Sequence, residues 1–457
     1  MKTRFPAFVG IVGLLLAASS LPAEEPLKIC GNQPSLTAPE WIRHAVIYEV
    51  NVRQYSAAGT FAAVEADLPR IRDLGADVLW FMPVHPIGKV NRKGTLGSPY
   101  SVADYLGVNP EFGTEADFTR LVKAAHGLGF RVVMDWVGNH TAWDNPLLTQ
   151  HPDFFVHDAS GKPVPPLGTD WSDVVQLDFG NRAVWDYEAS AMEHWIKVCG
   201  VDGFRCDFAT GLPTDCWNAI SAQLRALRPD LFMLAESEVP QQQLRAFHAS
   251  YSFGMMHVFN DVAAGRAPVA AIDDELARGG VRFPAGGTRI FYTTNHDENS
   301  WQGTEFERLG GGVEAFAVLT FVLDGIPLIY NGQEAGLNRR LAFFERDPIP
   351  WGPSPLAAFY RTLCALRRGH PALRTGSSMH RVATTANESV YALVREADGR
   401  RVVAFCNLTG KDASVEAVDP ALCGRWKDVF TGQIVTLDVP VQFPLPAWKY
   451  RVLVTAD

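Results

Sequence analysis

The sequence predicts an α/β fold: a (β/α)8 TIM barrel with a short insertion after its third strand, followed by a C-terminal antiparallel β-sandwich domain. Short β-branched or aromatic runs alternate with helical patterns from about residue 45 onward, and such alternation indicates βαβ units and a parallel sheet. From about residue 373 onward, short strands follow one another without helices between them. We therefore expect a barrel over residues 24–372 and the β-domain over residues 373–457.

Eight runs have the length and composition of buried strands. They are Ala45–Val50, Val78–Met82, Arg131–Trp136, Asp202–Phe208, Leu231–Ala235, Met255–Phe259, Arg289–Thr293 and Pro327–Tyr330. Eight parallel strands favour closure into a barrel because closure removes exposed sheet edges, and a doubly wound open sheet is the alternative. The step from the third run to the fourth is much longer than an ordinary βαβ step, so an insertion is expected at about residues 141–200.

Turn and cap residues predict several element ends. Thr60 is the predicted N-cap of the first long helix, and Gly75 is its predicted end. Thr114 and Asp117 have the spacing of a capping box and predict the start of a second helix. In the C-terminal region, the dipeptide Asp398-Gly399 lies between two apolar runs and predicts a β-hairpin.

The N-terminus has the pattern of a secretory signal peptide over residues 1–23. Lys2 and Arg4 precede an apolar run from Phe8 to Ala18, and Ala23 is a suitable cleavage position. That run is too short to span a bilayer, so we expect a secreted or periplasmic protein, with an uncleaved anchor as the alternative. No later stretch is apolar enough to predict a membrane span.

Charge and cysteine spacing exclude several function classes. The 457 residues carry a formal net charge of -9, which would be repelled by nucleic acid and by anionic membranes. No two cysteines form a CxxC pair, so neither a zinc site nor a dithiol redox site is predicted. The composition suits a neutral substrate and calls for no organic cofactor.

Acidic residues recur where the predicted barrel strands end. Asp135, Asp207, Glu236 and Asp297 each follow or close an apolar run. A carboxylate beside an apolar strand is costly to bury without a partner, and the carboxyl ends of barrel strands form the face that carries active sites. One such residue could be a helix cap or a strand-end ion pair. Four together predict a catalytic site.

Paired carboxylates suit the cleavage of a glycosidic bond. One carboxylate attacks or stabilises the sugar centre, while the other protonates the leaving oxygen. Arg205 lies two residues before Asp207 on the same side of its strand, and its charge is expected to lower the pKa of that carboxyl group. Apolar residues precede Glu236, and a dry setting is expected to raise its pKa, as an acid requires.

Several segments together resemble glycoside hydrolase family 13, the α-amylase family. They are residues 135–140 (DWVGNH), 203–207 (GFRCD), Glu236, 295–297 (NHD), 176–178 (QLD), 325–330 (GIPLIY) and 98–100 (SPY) with Asp104. They occur in the family's order and at the expected strands. The resemblance extends from about Trp41 to the C-terminus.

The resemblance implies a role for each matching residue. It makes Asp207 the nucleophile, Glu236 the general acid/base and Asp297 the third carboxylate, which holds sugar hydroxyls. It makes His140 and His296 hydrogen-bond partners of the sugar. Tyr100 is implied to be the ring beneath that sugar.

The family also implies structural calcium, with Asn139 and Asp178 as tentative ligands. Oxygen ligands suit this hard cation. The segment after the nucleophile is Phe208-Ala209-Thr210-Gly211 and lacks the Lys-His pair of many α-amylases, which puts one usual calcium ligand in doubt.

The expected reaction is hydrolysis of α-1,4-glucosidic bonds in starch-like glucans with retention of configuration. Three alternatives stay open: a cyclomaltodextrinase, a transglycosidase on the same scaffold, and a catalytically silent carbohydrate-binding relative. All three carboxylates are present, which argues against the silent relative.

Overall fold

The computed structural model describes residues 29–456, so the predicted signal peptide lies outside the described residues. The strands are β1 (Ile47–Val50), β2 (Val78–Phe81), β3 (Arg131–Trp136), β4 (His140–Ala142), β5 (Val174–Gln176), β6 (Gly203–Cys206), β7 (Phe232–Ala235), β8 (Ala249–Ser250), β9 (Thr288–Phe291), β10 (Ile326–Tyr330), β11 (Ser378–Arg381), β12 (Val390–Ala397), β13 (Arg400–Asn407), β14 (Ala413–Ala417), β15 (Gly424–Asp428), β16 (Ile434–Leu437), β17 (Val441–Leu445) and β18 (Tyr450–Thr455). The α-helices are α1 (Val52–Tyr55), α2 (Phe61–Leu74), α3 (Glu115–Gly127), α4 (Leu147–Gln150), α5 (Arg182–Val198), α6 (Thr214–Leu227), α7 (Phe253–Ala263), α8 (Ala271–Arg282), α9 (Glu305–Leu309), α10 (Val313–Val322) and α11 (Pro355–Gly369).

The predicted barrel is confirmed. Eight parallel strands close in the order β1-β2-β3-β6-β7-β8-β9-β10, and β10 pairs back to β1. Closure leaves no strand edge of the barrel unpaired, which is the reason that eight parallel strands favour a barrel. Within the described residues, no helix combines the length and apolar composition that crossing a bilayer requires.

The predicted helix ends also hold. The Thr60 side chain accepts from the backbone N–H of Ala63 before α2, and Gly75 ends that helix with φ of 100°. Thr114 and Asp117 form the predicted capping box before α3. Each device satisfies backbone groups that a helix end would otherwise leave unpaired.

The prediction of the sixth barrel strand is wrong. Met255–Phe259 lies inside α7, and the sixth strand is β8, which has only two residues, Ala249–Ser250. The spacing of Met255, Met256, Phe259 and Val262, all buried, is that of a helix face rather than a strand. A two-residue strand is too short to show any periodicity.

The predicted region of insertion contains one antiparallel pair, in which β4 pairs with β5. The chain then enters α5, which returns it to the barrel at β6. In the C-terminal region, β12 and β13 form the predicted hairpin. Asp398 and Gly399 both have positive φ, 52° and 71°, as a tight two-residue turn between twisted strands requires.

The C-terminal domain has a six-stranded sheet, in the order β11-β12-β13-β18-β15-β16, and a two-stranded sheet, β14-β17. It is tied to the barrel through buried polar contacts. Fully buried Arg395 donates to the carbonyl of Val322 at 3.1 Å and to Asp324 at 3.0 Å. Tyr391 donates to Asp273 at 2.8 Å.

Strand alternation puts a polar layer on top of an apolar barrel interior. Ile47, Val133 and Leu234 belong to one buried cluster inside the barrel. The residues two positions further along the same strands point the same way, and two of them are Glu49 and Asp135. The interior thus changes from apolar to charged toward the carboxyl ends of the strands.

Candidate active site

Arg205 lies at the centre of the charged layer. This fully buried residue of β6 contacts three carboxylates: Asp135 at 2.8 Å, Asp207 at 3.0 Å and Glu236 at 2.8 Å. The contact with Glu236 is an ion pair without hydrogen-bond geometry, whereas the other two are hydrogen bonds. One guanidinium therefore bridges two of the predicted catalytic carboxylates.

Burial, together with the surplus of carboxylates in this cluster, raises two pKa values. Burial, together with the neighbouring carboxylates, raises the pKa of Asp207 to about 6 although Arg205 opposes the shift. The same causes raise the pKa of Glu236 to about 8. Arg205 acts on Asp207 in the predicted direction, but the expectation of a lowered pKa is wrong because burial outweighs it. For Glu236 the predicted direction is found.

A strained residue holds the second oxygen of Glu236. Phe208 has φ of 40° and ψ of 50°, a left-handed conformation that is unfavourable for a bulky side chain. Its backbone N–H donates to Glu236 Oε2 at 2.7 Å. This hydrogen bond fixes the direction of the carboxyl group.

His296 lies between two carboxylates. Its Nδ1 is 2.5 Å from Glu49 Oε1, and its Nε2 is 3.2 Å from Asp297 Oδ2. Burial opposes a charged imidazole, but Asp297 and Glu49 outweigh it and raise the pKa of His296 well above its usual value. In Asp297 burial acts to raise the pKa, yet His296 prevails and lowers it. The pair is thus a cationic imidazole beside a carboxylate that stays ionised, and 41% of that carboxylate side chain is exposed to the cleft.

Tyr100 and Asp135 connect the His296–Asp297 pair to the cluster around Arg205. The Tyr100 hydroxyl lies 2.7 Å from His296 Nε2 and donates to Asp135 at 3.1 Å. Asp135 also accepts from Trp80 at 3.1 Å and from Arg205, and it has no exposed surface. Asp135 therefore orients neighbours rather than facing a substrate.

His140 lies in the same cleft as a neutral imidazole. Burial lowers its pKa to about 4, and its ring packs against Trp171 at 5.4 Å between centroids. A neutral ring can both donate and accept hydrogen bonds, which suits contact with a hydroxyl group.

A cleft of about 770 Å³ opens above these groups. Its lining includes five predicted site residues, Tyr100, His140, Asp207, Glu236 and Asp297. Arg205 and His296 are buried behind them, with 0% and 1% exposure. The structure thus brings the seven predicted catalytic and substrate-contacting residues to one place.

Further residues line the cleft to which the sequence analysis assigned no role. They are Lys93, Ser98, Asp170, Trp171, Asp173, Val174, Phe208, Thr210, Ser237, Glu238, Phe253, Trp301, Phe343 and Phe344. Glu49 was also missed, although it stands two residues after Ile47, and this spacing places it on the inward face of β1. That spacing was the one usable signal, because most of the others lie on loops without a periodic pattern, and Val174 and Phe253 are the first residues of β5 and α7.

The two tentative calcium ligands lie beside the insertion hairpin. Asn139 Oδ1 accepts from Gln176 Nε2 at 3.0 Å, and Asp178 Oδ1 accepts from the backbone of Gly180 at 2.9 Å. Residues 29–456 contain no group of three or more His, Cys, Asp or Glu placed to hold a metal. Calcium at Asn139 and Asp178 stays a prediction.

The family model described as "Alpha amylase, catalytic domain" matches residues 44–160. The crystal structure of an α-amylase from Lactobacillus plantarum superimposes with a TM-score of 0.82 at 33% identity, covering 91% of this chain and 100% of that one. "Alpha-amylase 2" of Dictyoglomus thermophilum is 25% identical over 452 residues, 87% of this chain and 74% of that protein.

A relative of a different kind also matches. An α-1,4-glucan:maltose-1-phosphate maltosyltransferase of Cereibacter sphaeroides is 34% identical over 382 residues, which are 75% of this chain. The chain spans 61% of the length of that transferase.

Proposed function

Because the chain belongs to the α-amylase family, glycoside hydrolase family 13, we propose that it hydrolyses α-1,4-glucosidic bonds in starch-like glucans with retention of configuration. The observation that carries the proposal is the buried guanidinium of Arg205, which contacts Asp207 at 3.0 Å and Glu236 at 2.8 Å. Cleavage of a glycoside needs two carboxyl groups held close together in different protonation states. Their pKa values, about 6 and about 8, support that division.

In the first step, the Asp207 carboxylate attacks the anomeric carbon while protonated Glu236 gives its proton to the glycosidic oxygen. The bond between the anomeric carbon and that oxygen breaks, and an ester between the sugar and Asp207 forms. In the second step, Glu236, now a carboxylate, takes a proton from water, whose oxygen attacks the same carbon. The ester breaks, Glu236 regains its proton, and two inversions restore the original configuration.

Asp297 and His296 support the sugar ring during both steps. The ionised carboxylate accepts hydrogen bonds from sugar hydroxyls, and the cationic imidazole of His296 holds that carboxylate in place from behind, at 3.2 Å. Glu49 keeps His296 charged from behind, at 2.5 Å. Such donors and acceptors are already in place before the transition state, so they need no reorganisation.

Digestion of soluble starch, maltotriose, pullulan and β-cyclodextrin tests the substrate class. We expect shorter α-1,4-linked products from starch and maltotriose. Efficient cleavage of β-cyclodextrin in preference to starch would instead identify a cyclomaltodextrinase. No product from any of the four would contradict the proposal.

Transfer to a sugar acceptor is the second candidate, favoured by the similarity to the maltosyltransferase. Aromatic side chains, Trp171, Phe208 and Phe253 among them, line the cleft and could exclude water from the ester. Products longer than the substrate, formed when maltose is added, would establish transfer. Hydrolysis products alone would exclude it.

The dependence of kcat/KM on pH follows from the two shifted groups. Asp207 must be ionised, so the rate should fall as the pH drops through about 6. Glu236 must be protonated, so the rate should fall as the pH rises through about 8. The two limbs belong to the coupled pair rather than to either residue alone. A profile measured on an unactivated maltooligosaccharide checks this, and a rate that still climbs at pH 9–10 would argue against Glu236 as the acid.

Calcium, if bound, would be a structural ion, and no step above depends on it. An ion that binds only the folded chain stabilises it, so EDTA should lower the melting temperature and leave the chemical steps unchanged, whereas a melting temperature that EDTA does not change would argue against calcium at Asn139 and Asp178. Differential scanning calorimetry with EDTA, and then with excess CaCl2, is the measurement. A melting temperature lowered by EDTA, restored by calcium and insensitive to both in Asp178→Asn would establish the ion at this place.

We further propose that the protein is exported. Lys2 and Arg4, the apolar run that follows them and Ala23 support a cleaved leader. N-terminal sequencing of the active protein from its native host should find a start near Glu24, in the fraction outside the cytoplasm. An active protein that still begins at Met1 or Lys2 would refute the proposal.

A further inference from the structure

Two buried side chains, Gln242 and Trp217, meet at one backbone carbonyl behind the catalytic acid. Gln242 Nε2 and Trp217 Nε1 each donate to the carbonyl oxygen of Ala209 at 2.9 Å. Gln242 lies in a 3-10 turn, Pro240–Leu244, and Trp217 lies in α6. Gln242 is 2% exposed and Trp217 is 0% exposed, and neither lines the cleft. Neither is therefore placed to contact a substrate, and the mechanism above assigns them no role.

The carbonyl that they share belongs to the turn that holds Glu236. Ala209 follows Phe208, whose N–H donates to Glu236 Oε2 at 2.7 Å. The N–H of Ala209 donates to the backbone carbonyl of Glu236 at 3.2 Å. Two successive N–H groups of the turn thus hold the side chain and the backbone of the same acid.

The left-handed conformation of Phe208 has to be imposed by its surroundings. With φ of 40° it is unfavourable for a bulky residue, and such a conformation persists only where other contacts fix it. The carbonyl of Phe208 accepts from the N–H of Gly211 at 2.8 Å. The next carbonyl, that of Ala209, accepts from both buried side chains. These contacts fix the two peptide groups that follow Phe208, and so the direction of its N–H.

Packing alone does not explain a glutamine at position 242. Its Oε1 is buried and has no hydrogen-bond partner among the described residues, and an unpaired buried oxygen costs free energy. An apolar side chain of similar size would avoid that cost. The amide is explained by its N–H donor, which reaches Ala209 across 33 positions of the chain.

Resting on the proposed function, we infer that Gln242 is a positioning residue for the catalytic acid. Together with Trp217 it holds the Ala209 carbonyl, which keeps Phe208 in its left-handed conformation and its N–H on Glu236. Without that hydrogen bond the carboxyl group can rotate away from the glycosidic oxygen. A general acid must lie within hydrogen-bond reach of the atom that it protonates, so even a small rotation slows the transfer.

Gln242→Leu removes the donor and the unpaired oxygen together and keeps most of the volume. We expect kcat/KM for maltotriose to fall about tenfold, because general acid catalysis contributes about 100- to 10,000-fold and part of it would be lost. For 4-nitrophenyl α-maltoside, counting only release of the nitrophenol, kcat/KM should change little, because this leaving group needs little protonation. The ratio of the two values is the measurement, since a general structural fault would lower both alike.

The alkaline limb of the pH profile gives a second measurement. Burial raises the pKa of Glu236, as do Asp207 and Asp297, whereas Arg205 and the N–H of Phe208 lower it. In the leucine variant the carboxylate would lose the Phe208 donor, so the limb measured on maltotriose should move to higher pH. A limb that stays at the wild-type pH would show that this N–H still holds the acid, and would overturn the inference.

Gln223→Leu is the matched control, because it makes the same change at an exposed position of α6, where the amide donates to Glu193 at 2.9 Å. It should keep the wild-type ratio and limb. Trp217→Phe removes the other donor but keeps an aromatic ring. It should change the ratio in the same direction as Gln242→Leu, and it carries the test if the leucine variant does not fold.

The two substrates also separate this inference from the proposed function. Equal losses on both substrates, or no loss on either, in folded variants would overturn the positioning role and leave the hydrolase intact. A wild-type enzyme that cleaves neither substrate would instead overturn the proposed function, and the inference with it.

Discussion

Asp207→Asn is expected to lower kcat by about three orders of magnitude or more, as the loss of one member of a catalytic unit does. The amide has nearly the same shape as the carboxylate, but its oxygen is too weak a nucleophile to form the ester. Arg205 would lose an ion pair at 3.0 Å yet keep Asp135 at 2.8 Å. The burial and neighbouring charges that raise the pKa of Asp207 also make its charge unfavourable for folding, so the variant should stay folded.

The matched control is Asp261→Asn, which makes the same chemical change at a 46% exposed side chain paired with Arg266. It should keep wild-type kcat. Circular dichroism and thermal melting establish that both variants are folded. Near-native activity in folded Asp207→Asn would remove this residue from the role of nucleophile.

Glu236→Gln is expected to have the second-largest effect, and the effect should depend on the leaving group. Natural glucans have a poor leaving group that must be protonated, so their cleavage should fall by about two to four orders of magnitude. Activated aryl glycosides need little protonation, and their first step should be nearly spared. The side-chain oxygen of the amide can still accept from the backbone N–H of Phe208, which lies 2.7 Å from Glu236 Oε2 in the wild-type protein. The local geometry should therefore persist.

Single-turnover kinetics on an aryl maltoside and on maltotriose measure the first step separately. The alkaline limb of the pH profile should also disappear in Glu236→Gln, because no proton remains to be lost. Equal losses on both substrates would show that Glu236 does something other than protonate the leaving group.

Strand periodicity explains why much of the site was predictable. Asp135, Asp207 and Glu236 stand at the ends of apolar runs, and closing the barrel gathers all such ends on one face. The alternation of inward and outward residues also fixed the side of β6 on which Arg205 and Asp207 lie together. No detail of packing was needed for these placements.

The loop residues of the cleft could not be predicted, because loops have no such periodicity. The positions of Phe343 and Phe344 depend on buried amides, Asn299 and Gln54, that are distant in the sequence and follow no repeating pattern. The two-residue β8 was missed because its pairing with β7 and β9, rather than its own residues, makes it a strand. Tertiary contacts decide such elements, and local propensity does not.

The pKa of Asp207 shows that one neighbouring charge is not enough to predict the direction of a pKa shift. Arg205 alone predicts a lowered value, and its contact at 3.0 Å acts in that direction. Burial and two further carboxylates, Asp135 and Asp297, reverse the sign. The sequence does not reveal how many like charges the fold will gather around one guanidinium.

The anomeric form of the first product tests the central claim most directly. Two displacements at one carbon, the first by Asp207 and the second by water, return the sugar to its original configuration. Proton NMR recorded during early hydrolysis of a maltooligosaccharide, before mutarotation, should therefore show the α-anomer at the newly formed reducing end. A β-anomer released first would mean a single displacement by water, and would contradict both the role of Asp207 and the retaining mechanism.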